Sequence, residues 1–586
     1  MMKKTNIAVL IAVLILSLGI FSPQQMQAAK VKLSFDHFYD NAELTEALKA
    51  LEEAYPEFME VKSLGKTYQE REIWSVILNN PSTGLAEHKP GYYIDGNIHG
   101  NEIQGTEVAL YAIWYLLENY GKTDLATRLL DEKAFYIIPT MNPDAREYFI
   151  NEEDYYRSGL IPLDDDRDGV SDEDPAEDLN GDGFITQMRK KDPDGIYRLH
   201  PEDSRILIPV GPGEEGEYSL LGEEGIDNDG DGRINEDGLG GYDMNRNYGF
   251  NWQPNYVQQG SGEYPFCFPE TIATRDFILD HPNIMGAQNF HNTGGMILRP
   301  PGAKNMGDLP MGDRTIYDYI GNNGEKILPG YRYIIIYKDL YTVYGGSIDF
   351  FVNILGAFTF SNELDMSPTF SFPIGDEEGT TAEQDPEMIR MRAILDQVRQ
   401  MEYHDLILLG EHYRNWTTFT HPFYGEVEIG GMTKFGSRVP PLFQLPDTCH
   451  RNAAFVFYHA DQLPRLNFKD VQVTKIDKDL YQIDVTINNS RVTPTISSLA
   501  VQKKLHRADL FKIDGTARLR AAGLLTDKYR GITQKIETRD DRIWLPSGVA
   551  SFGTINLRLL VKGKDEIELI YDSLKGGYYT TTATLK

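Results

Sequence analysis

The chain has 586 residues, 41% of them apolar, which is more than a single ordinary core requires, so two or three domains are expected. Its formal net charge is −31, and residues 145–240 alone carry 28 Asp and Glu against 9 Lys and Arg. That balance excludes nucleic acid as a partner and points to cation binding or to a solvated acidic surface.

In chain order, the opening "MMKKTNIAVLIAVLILSLGIF" is basic and then apolar, and "SPQQMQAAK" follows with small residues near Ala28 and Ala29. Residues 1–29 therefore read as a secretory signal peptide, too short in its apolar run for the ~20 residues of a spanning helix. A secreted, periplasmic or extracellular protein without a membrane span after cleavage is expected. Only two cysteines occur, Cys267 and Cys449, and pairing and two free thiols are both open.

Beyond the signal, "AELTEALKALEEAY" and "EVALYAIWYLLENYG" have helical spacing, whereas "REIWSVILNN", "GYYIDGNIHG", "AFYIIPTMNP", "IMGAQNFHN" and "GAFTFSNEL" read as strands. Buried strands interleaved with helices predict an α/β domain over residues 30–465, with a mixed, mostly parallel sheet flanked by helices. Ligands of such sheets gather beyond the carboxyl ends of the strands. Residues 150–240 interrupt the pattern as a Gly- and Asp-rich insertion without strand or helix periodicity. A helix is expected around "PEMIRMRAILDQVRQMEYHDL", then a loop-rich stretch with "GEVEIGG". From residue 466 to 586 short alternating runs predict a β-sandwich.

The polar residues at the strand ends carry the chemistry. His99 and Glu102, three apart in "HGNE", and His291 in "QNFHN" offer two imidazoles and a carboxylate, a donor set suited to zinc. Glu363 closes the apolar run "FTFSNE", where a bare carboxylate is costly unless it has a task or a partner. "YDMNRN" brings Asp243, Asn245 and Arg246 together, and "YTVYGGSID" contributes Tyr341.

With these motifs in this order, the chain resembles a zinc metallocarboxypeptidase of the carboxypeptidase A family over about residues 35–415. The resemblance implies one catalytic zinc on His99, Glu102 and His291, with Asp243 behind His99 as its orienting carboxylate. It implies Glu363 as the general base that takes a proton from the zinc-held water and passes it to the leaving amine. Asn245, Arg246 and Tyr341 match the clamp on a peptide's terminal carboxylate. Ile348 matches the floor of the pocket for the terminal side chain, which favours an apolar or aromatic residue. The arginine that stabilises the oxyanion follows the family's Asn-Pro-Asp segment, here Asn142-Pro143-Asp144, after a short gap that this chain fills with the acidic insertion, and Arg189 in "FITQMRKK" is the expected match.

Within that insertion three segments place acids or amides at positions one, three and five before a glycine: Asp164, Asp166 and Asp168; Asp178, Asn180 and Asp182; Asp227, Asp229 and Asp231. They resemble calcium loops of the EF-hand and thrombospondin type 3 kinds, with Asp172 and Asp174 compensating in the first for a missing twelfth-position Glu. The expected enzyme is a secreted zinc carboxypeptidase with structural calcium, acting on peptides or proteins with a free C-terminus. Alternatives are a zinc amidase or endopeptidase on cell-wall muropeptides or γ-glutamyl bonds, and a calcium-dependent binding protein without catalysis.

Overall fold

A computed structural model describes residues 29–164, 167–211, 213–364 and 386–586. The proposed signal segment, apart from Ala29, and Asp166 lie outside the described residues. Among those described, no helix is long and apolar enough to cross a membrane.

The main layer is an eight-stranded mixed sheet in the order β1-β2-β4-β3-β9-β12-β10-β11, with β11 (Arg332–Ile335) parallel to β10 at one edge. Its centre comprises β4 (Ala134–Ile138), β3 (Gly91–Gly96), β9 (Ile284–Asn292) and β12 (Phe358–Leu364), all parallel to one another. Residues of β3, β4 and β9 are buried throughout, which is why these segments read as unbroken apolar runs rather than alternating ones. Antiparallel β1 (Met59–Lys66) and β2 (Glu72–Leu78) extend one side, and β10 (Met296–Arg299) pairs antiparallel with β12 on the other.

Helices cover both faces. α1 (Asn41–Ala54) begins in a capping box between Asp40 and Glu43, and α2 (Gln104–Asn119) packs its apolar side into a core shared with β3, β4 and β9. α3 (Pro143–Asn151) and α4 (Pro269–Asp280) follow β4 and the insertion respectively. Phe277 and Ile278 of α4 belong to the core on the opposite face of the sheet. The expected architecture is therefore the observed one, and it delivers the ends of three neighbouring parallel strands, β3, β9 and β12, to one place.

The insertion departs from expectation. Its second half forms β5 (Gln187–Lys191), β6 (Tyr197–Leu199), β7 (Leu207–Pro209) and β8 (Tyr218–Glu223). These join β13 (Tyr413–His421) and β14 (Gly425–Met432) in a separate six-stranded sheet, order β13-β14-β5-β8-β6-β7. The "GEVEIGG" stretch, expected to be loop, is β14 itself. The strands are short, and a small core of Met188, Val427 and Ile429 closes only when two segments more than two hundred residues apart meet.

Residues 466–585 form two five-stranded antiparallel sheets around a common apolar core, with Ile483, Val485, Leu557 and Leu559 facing Phe511, Ile513, Leu569 and Tyr571. This sandwich is tied to the root of β9, where Lys575 Nζ donates to the carbonyls of Pro282 (3.0 Å) and Ile284 (2.5 Å). Cys267 and Cys449 are both free.

Candidate active site

Because β3, β9 and β12 are adjacent and parallel, residues at their carboxyl ends meet without further machinery. In register, Glu363 of β12 lies beside His291 of β9. After β3 the chain turns at Asn97, which has φ +57° and donates from Nδ2 to His99 O at 2.7 Å. Gly100 completes the turn; a Cβ there would fall 2.1 Å from Ala145 Cβ and 2.5 Å from Tyr156 O, so no larger residue fits.

The three candidate ligands converge. His99 Nδ1 and His291 Nδ1 each lie 2.9 Å from Glu102 Oε2, and the two ring nitrogens lie 3.1 Å apart. An ion with tetrahedral bonds of 2.0–2.1 Å separates its ligands by roughly 3.3 Å, so the triad fits zinc in both donor type and spacing. His99 Nε2 sits 3.0 Å from Asp243 Oδ1, which assigns the proton to Nε2 and leaves Nδ1 a free lone pair. Burial alone would raise the Glu102 carboxyl, but His99 and His291 hold it well below the usual range.

Asp243 organises the second half of the site. Its Oδ1 also accepts from Asn245 N (2.8 Å), and its Oδ2 accepts from Arg157 Nε (2.9 Å) and lies 3.7 Å from Arg246 Nη2. Burial opposes the ionised form, yet His99, Arg246 and Arg157 keep this carboxyl well below its ordinary value. Asn245 Oδ1 accepts from Ser347 N at 2.9 Å, joining the clamp to the pocket wall. Gly345 lets the backbone of Arg246 approach the same wall, since it has φ +66° and a Cβ there would meet Arg246 O at 2.2 Å. Tyr341 is half-exposed, with the Arg246 guanidinium 5.9 Å from its ring centroid.

His99, Glu102, Arg157, Asn245, Arg246, His291, Tyr341 and Glu363 line one cavity of about 190 Å³, with Asp243 behind its wall. The lining combines the ligand triad, Glu363 and Arg157 with Asn245, Arg246 and Tyr341, Asn245 Nδ2 lying 3.3 Å from His291 Nε2, and adds the apolar side chains of Met296, Leu298, Ile336, Val343 and Ile348. Burial and the nearby Glu102 raise the Glu363 carboxyl to about 7, which places it where a base can both take and return a proton.

Arg189, expected as the oxyanion residue, does not line this cavity. It lies on β5, its Nε 2.7 Å from Glu428 Oε2 and its guanidinium stacked 4.1 Å from the Trp416 ring and 5.1 Å from Tyr218. Those contacts make it a packing element of the second sheet, which explains its burial. Arg157 occupies the cavity instead, its Nη1 donating to Glu102 Oε1 at 3.0 Å. Arg157 lies only thirteen positions after Asp144, and it precedes the first acidic loop. That short distance from the Asn-Pro-Asp segment was the available signal.

The three acidic loops share one geometry. In each, the leading Asp accepts from backbone N–H groups three and five residues on: Asp164 from Arg167 and Gly169, Asp178 from Gly181 and Gly183, Asp227 from Gly230 and Gly232. Among the described residues, two acidic groups have carboxylate oxygens within 4.8 Å of one another: Asp227, Asp229 and Asp231 within the third loop, and Asp168, Glu173 and Asp229 between the first and third. Asp172 and Asp174 serve as acceptors for backbone N–H groups of the third loop and its exit, Asp172 for Gly240 and Asp174 for Asn228 and Asn235. Asp178 and Asp182 of the second loop, with Asn180, join neither group.

Residues 44–385 match the family model of zinc carboxypeptidases, Peptidase M14. The chain belongs to that family. Residues 465–584 match a domain of unknown function, DUF8731. Among relatives, human carboxypeptidase D is 30% identical over 129 residues, covering 22% of this chain and 9% of the relative. Mouse carboxypeptidase M is 32% identical over 130 residues, covering 22% and 29%, and the inactive metallocarboxypeptidase ECM14 of Saccharomyces cerevisiae is 28% identical over 123 residues, covering 21% and 29%. The matched stretches thus span less than a third of each of these relatives. Among solved structures, thrombin-activatable fibrinolysis inhibitor aligns over 75% of this chain and 78% of its own, at 15% identity and a TM-score of 0.44. Carboxypeptidase A from Helicoverpa armigera aligns over 68% and 79%, at 19% identity and a TM-score of 0.39.

Proposed function

We propose that this member of the zinc carboxypeptidase family is an exported exopeptidase that removes an apolar C-terminal residue from peptides or proteins. One observation carries the reading: a single cavity is lined by the zinc triad and Glu363 together with an Asn–Arg–Tyr group and a set of apolar side chains. A substrate whose terminal carboxylate meets Arg246 and whose last side chain enters the floor places its final peptide bond against Glu363.

When bound by His99, Glu102 and His291, zinc supplies a Lewis acid that polarises a carbonyl and acidifies water. The remaining roles fall to the chain. Glu363, as carboxylate, accepts a proton from the attacking water and returns it to the departing amine nitrogen as the C–N bond breaks and the C–O bond forms. Arg157, held between Glu102 and Asp243, aims its guanidinium at the oxygen on which negative charge develops. Arg246 and Asn245 receive the terminal carboxylate, for which a guanidinium offers two parallel donors. Ile348 gives the pocket floor no charge to pair with Lys or Arg, so aliphatic and aromatic terminal residues are favoured.

Export rests on the basic-then-apolar opening of residues 1–29. Residues 30–465 would form the catalytic domain and 466–586 an accessory sandwich, a division supported by the two family matches. Structural calcium in the acidic loops completes the proposal. It is supported by the repeated loop geometry and by carboxyls that face one another: Glu173 is raised to about 7 by burial and by Asp237, and Glu236 to about 7 by burial and by Asp174. After chelation, zinc alone should then restore part of the activity and thermal stability, and zinc with calcium all of it; full recovery with zinc alone removes calcium from the proposal.

Hydrolysis of a library of free-C-terminus peptides tests the function itself. Release of single apolar residues is expected, whereas internal cleavage would favour the endopeptidase or amidase reading. No turnover by zinc-loaded protein would favour a binding role like that open to a family containing inactive members.

A further inference from the structure

The Asn-Pro-Asp segment has so far been only a landmark. Asn142 is completely buried, and its side chain makes two bonds of different kinds. Oδ1 accepts from Ala145 N at 3.1 Å and so caps α3 (Pro143–Asn151), while Nδ2 donates to Ser158 O at 2.9 Å. Its own N–H donates to the carbonyl of Asn97, the residue that holds the turn carrying His99 and Glu102.

Ser158 follows Arg157 in a segment that has neither helix nor strand to fix it. Its backbone is held instead by consecutive carbonyls: Arg157 O accepts from Gly100 N at 2.9 Å, and Ser158 O accepts from Asn142. The first bond comes from the zinc-ligand turn itself. The second comes from a residue that touches neither the ligands nor the cavity, and it is the one that side-chain chemistry can remove without refilling a packed turn.

We propose that Asn142 is a positioning residue for Arg157, setting through the Ser158 carbonyl where that guanidinium sits between Glu102 and Asp243. The inference rests on the role given to Arg157 above. A helix cap at this position could be Asp or Ser as well as Asn, since all three accept from the first-turn N–H groups. An ionised Asp has no donor and a Ser hydroxyl sits one atom short of Ser158 O, whereas Asn, with an amide N–H₂ at the end of its stem, donates to it at 2.9 Å. An asparagine is therefore required for the second bond and not for the first.

Asn142→Asp separates the two functions, because it keeps the cap and removes the donor; Asn142→Ser does so without adding charge. Each zinc-loaded variant should retain the metal content of the wild type and lose kcat by ~10–100-fold with KM changed less than about twofold, the range for residues that orient a catalytic group. In an Arg157→Ala background, Asn142→Asp should have no further effect on kcat. Amide hydrogen exchange should accelerate at least about tenfold over residues 156–160 and stay unchanged in α3. Wild-type kcat and exchange in both variants would overturn the proposal, as would an equal loss with and without Arg157. Unchanged turnover in Arg157→Ala alone would instead overturn the role of Arg157, and the exchange measurement would still decide whether Asn142 holds the segment.

Discussion

Replacing Arg157 by Ala separates the cavity arginine from the one that its sequence position had favoured. Two charge-assisted bonds are lost, to Glu102 Oε1 at 3.0 Å and Asp243 Oδ2 at 2.9 Å, each onto a carboxylate that is largely buried. A bond of this kind contributes ~1.5–3 kcal/mol, but the Arg157 side chain is 38% exposed, so solvent reduces the folding cost to about 1–2 kcal/mol for the pair. The catalytic cost is larger. Removing one preorganised donor to a developing oxyanion lowers kcat ~10²–10³-fold, or about 2.7–4 kcal/mol of barrier. Arg157→Lys should recover little, because the bonds to Glu102 and Asp243 leave from different nitrogens of one planar fork. In the same assay, Arg189→Ala should leave kcat within about twofold. That variant breaks the Glu428 pair and the stack on Trp416, and the expected loss is ~2 kcal/mol in the stability of the second sheet. Steady-state kinetics on a peptide ending in leucine, with metal content and melting temperature measured for each variant, decides between them. A large fall in kcat for Arg189→Ala with near-normal turnover in Arg157→Ala would refute the assignment.

Glu363→Gln should keep zinc bound and lower kcat by on the order of 10³-fold or more, since a carboxamide can neither take nor return the proton; near-normal turnover with confirmed metal would rule out the base. Glu270, in the first turn of α4, has both carboxylate oxygens buried without a hydrogen-bond partner, and burial raises its carboxyl to about 7. A carboxyl with a raised folded pKa stabilises the fold below its unfolded value of 4.5 and loses that contribution as pH rises through 7. Glu270→Gln should therefore flatten the stability profile between about pH 4.5 and 7 and be ~2–3 kcal/mol more stable than the wild type at pH 8. Parallel profiles in denaturant titrations would contradict this.

Much of the catalytic domain could be read from the sequence because its strands are buried on both faces and carry polar residues near their ends. His99, His291 and Glu363 stand out for that reason: each interrupts an apolar run where only a task justifies the desolvation. Arg157 carries no such contrast. It lies in an irregular, polar segment, and its importance comes from contacts that only the fold makes, with Gly100 and Asp243 far off in sequence and with nearby Asn142 through Ser158. Arg189 attracted the role because the insertion fills the gap after Asn-Pro-Asp, but the insertion's strands use it to pack against Trp416, a residue 227 positions later. The second sheet was illegible for the same cause. Its strands alternate weakly, and its core residues Met188, Val427 and Ile429 belong to segments that only the fold brings together.

The most direct test compares paired peptides that differ only at the terminus, a free leucine carboxylate against its amide, with wild-type protein and Arg246→Ala. The wild type should release leucine from the acid and cleave the amide at least ten- to a hundredfold less efficiently in kcat/KM, because a charge-assisted fork of ~1.5–3 kcal/mol has no partner in the amide. Arg246→Ala should lose most of that preference while still binding one zinc. Equal cleavage of acid and amide by the wild type would contradict exopeptidase action.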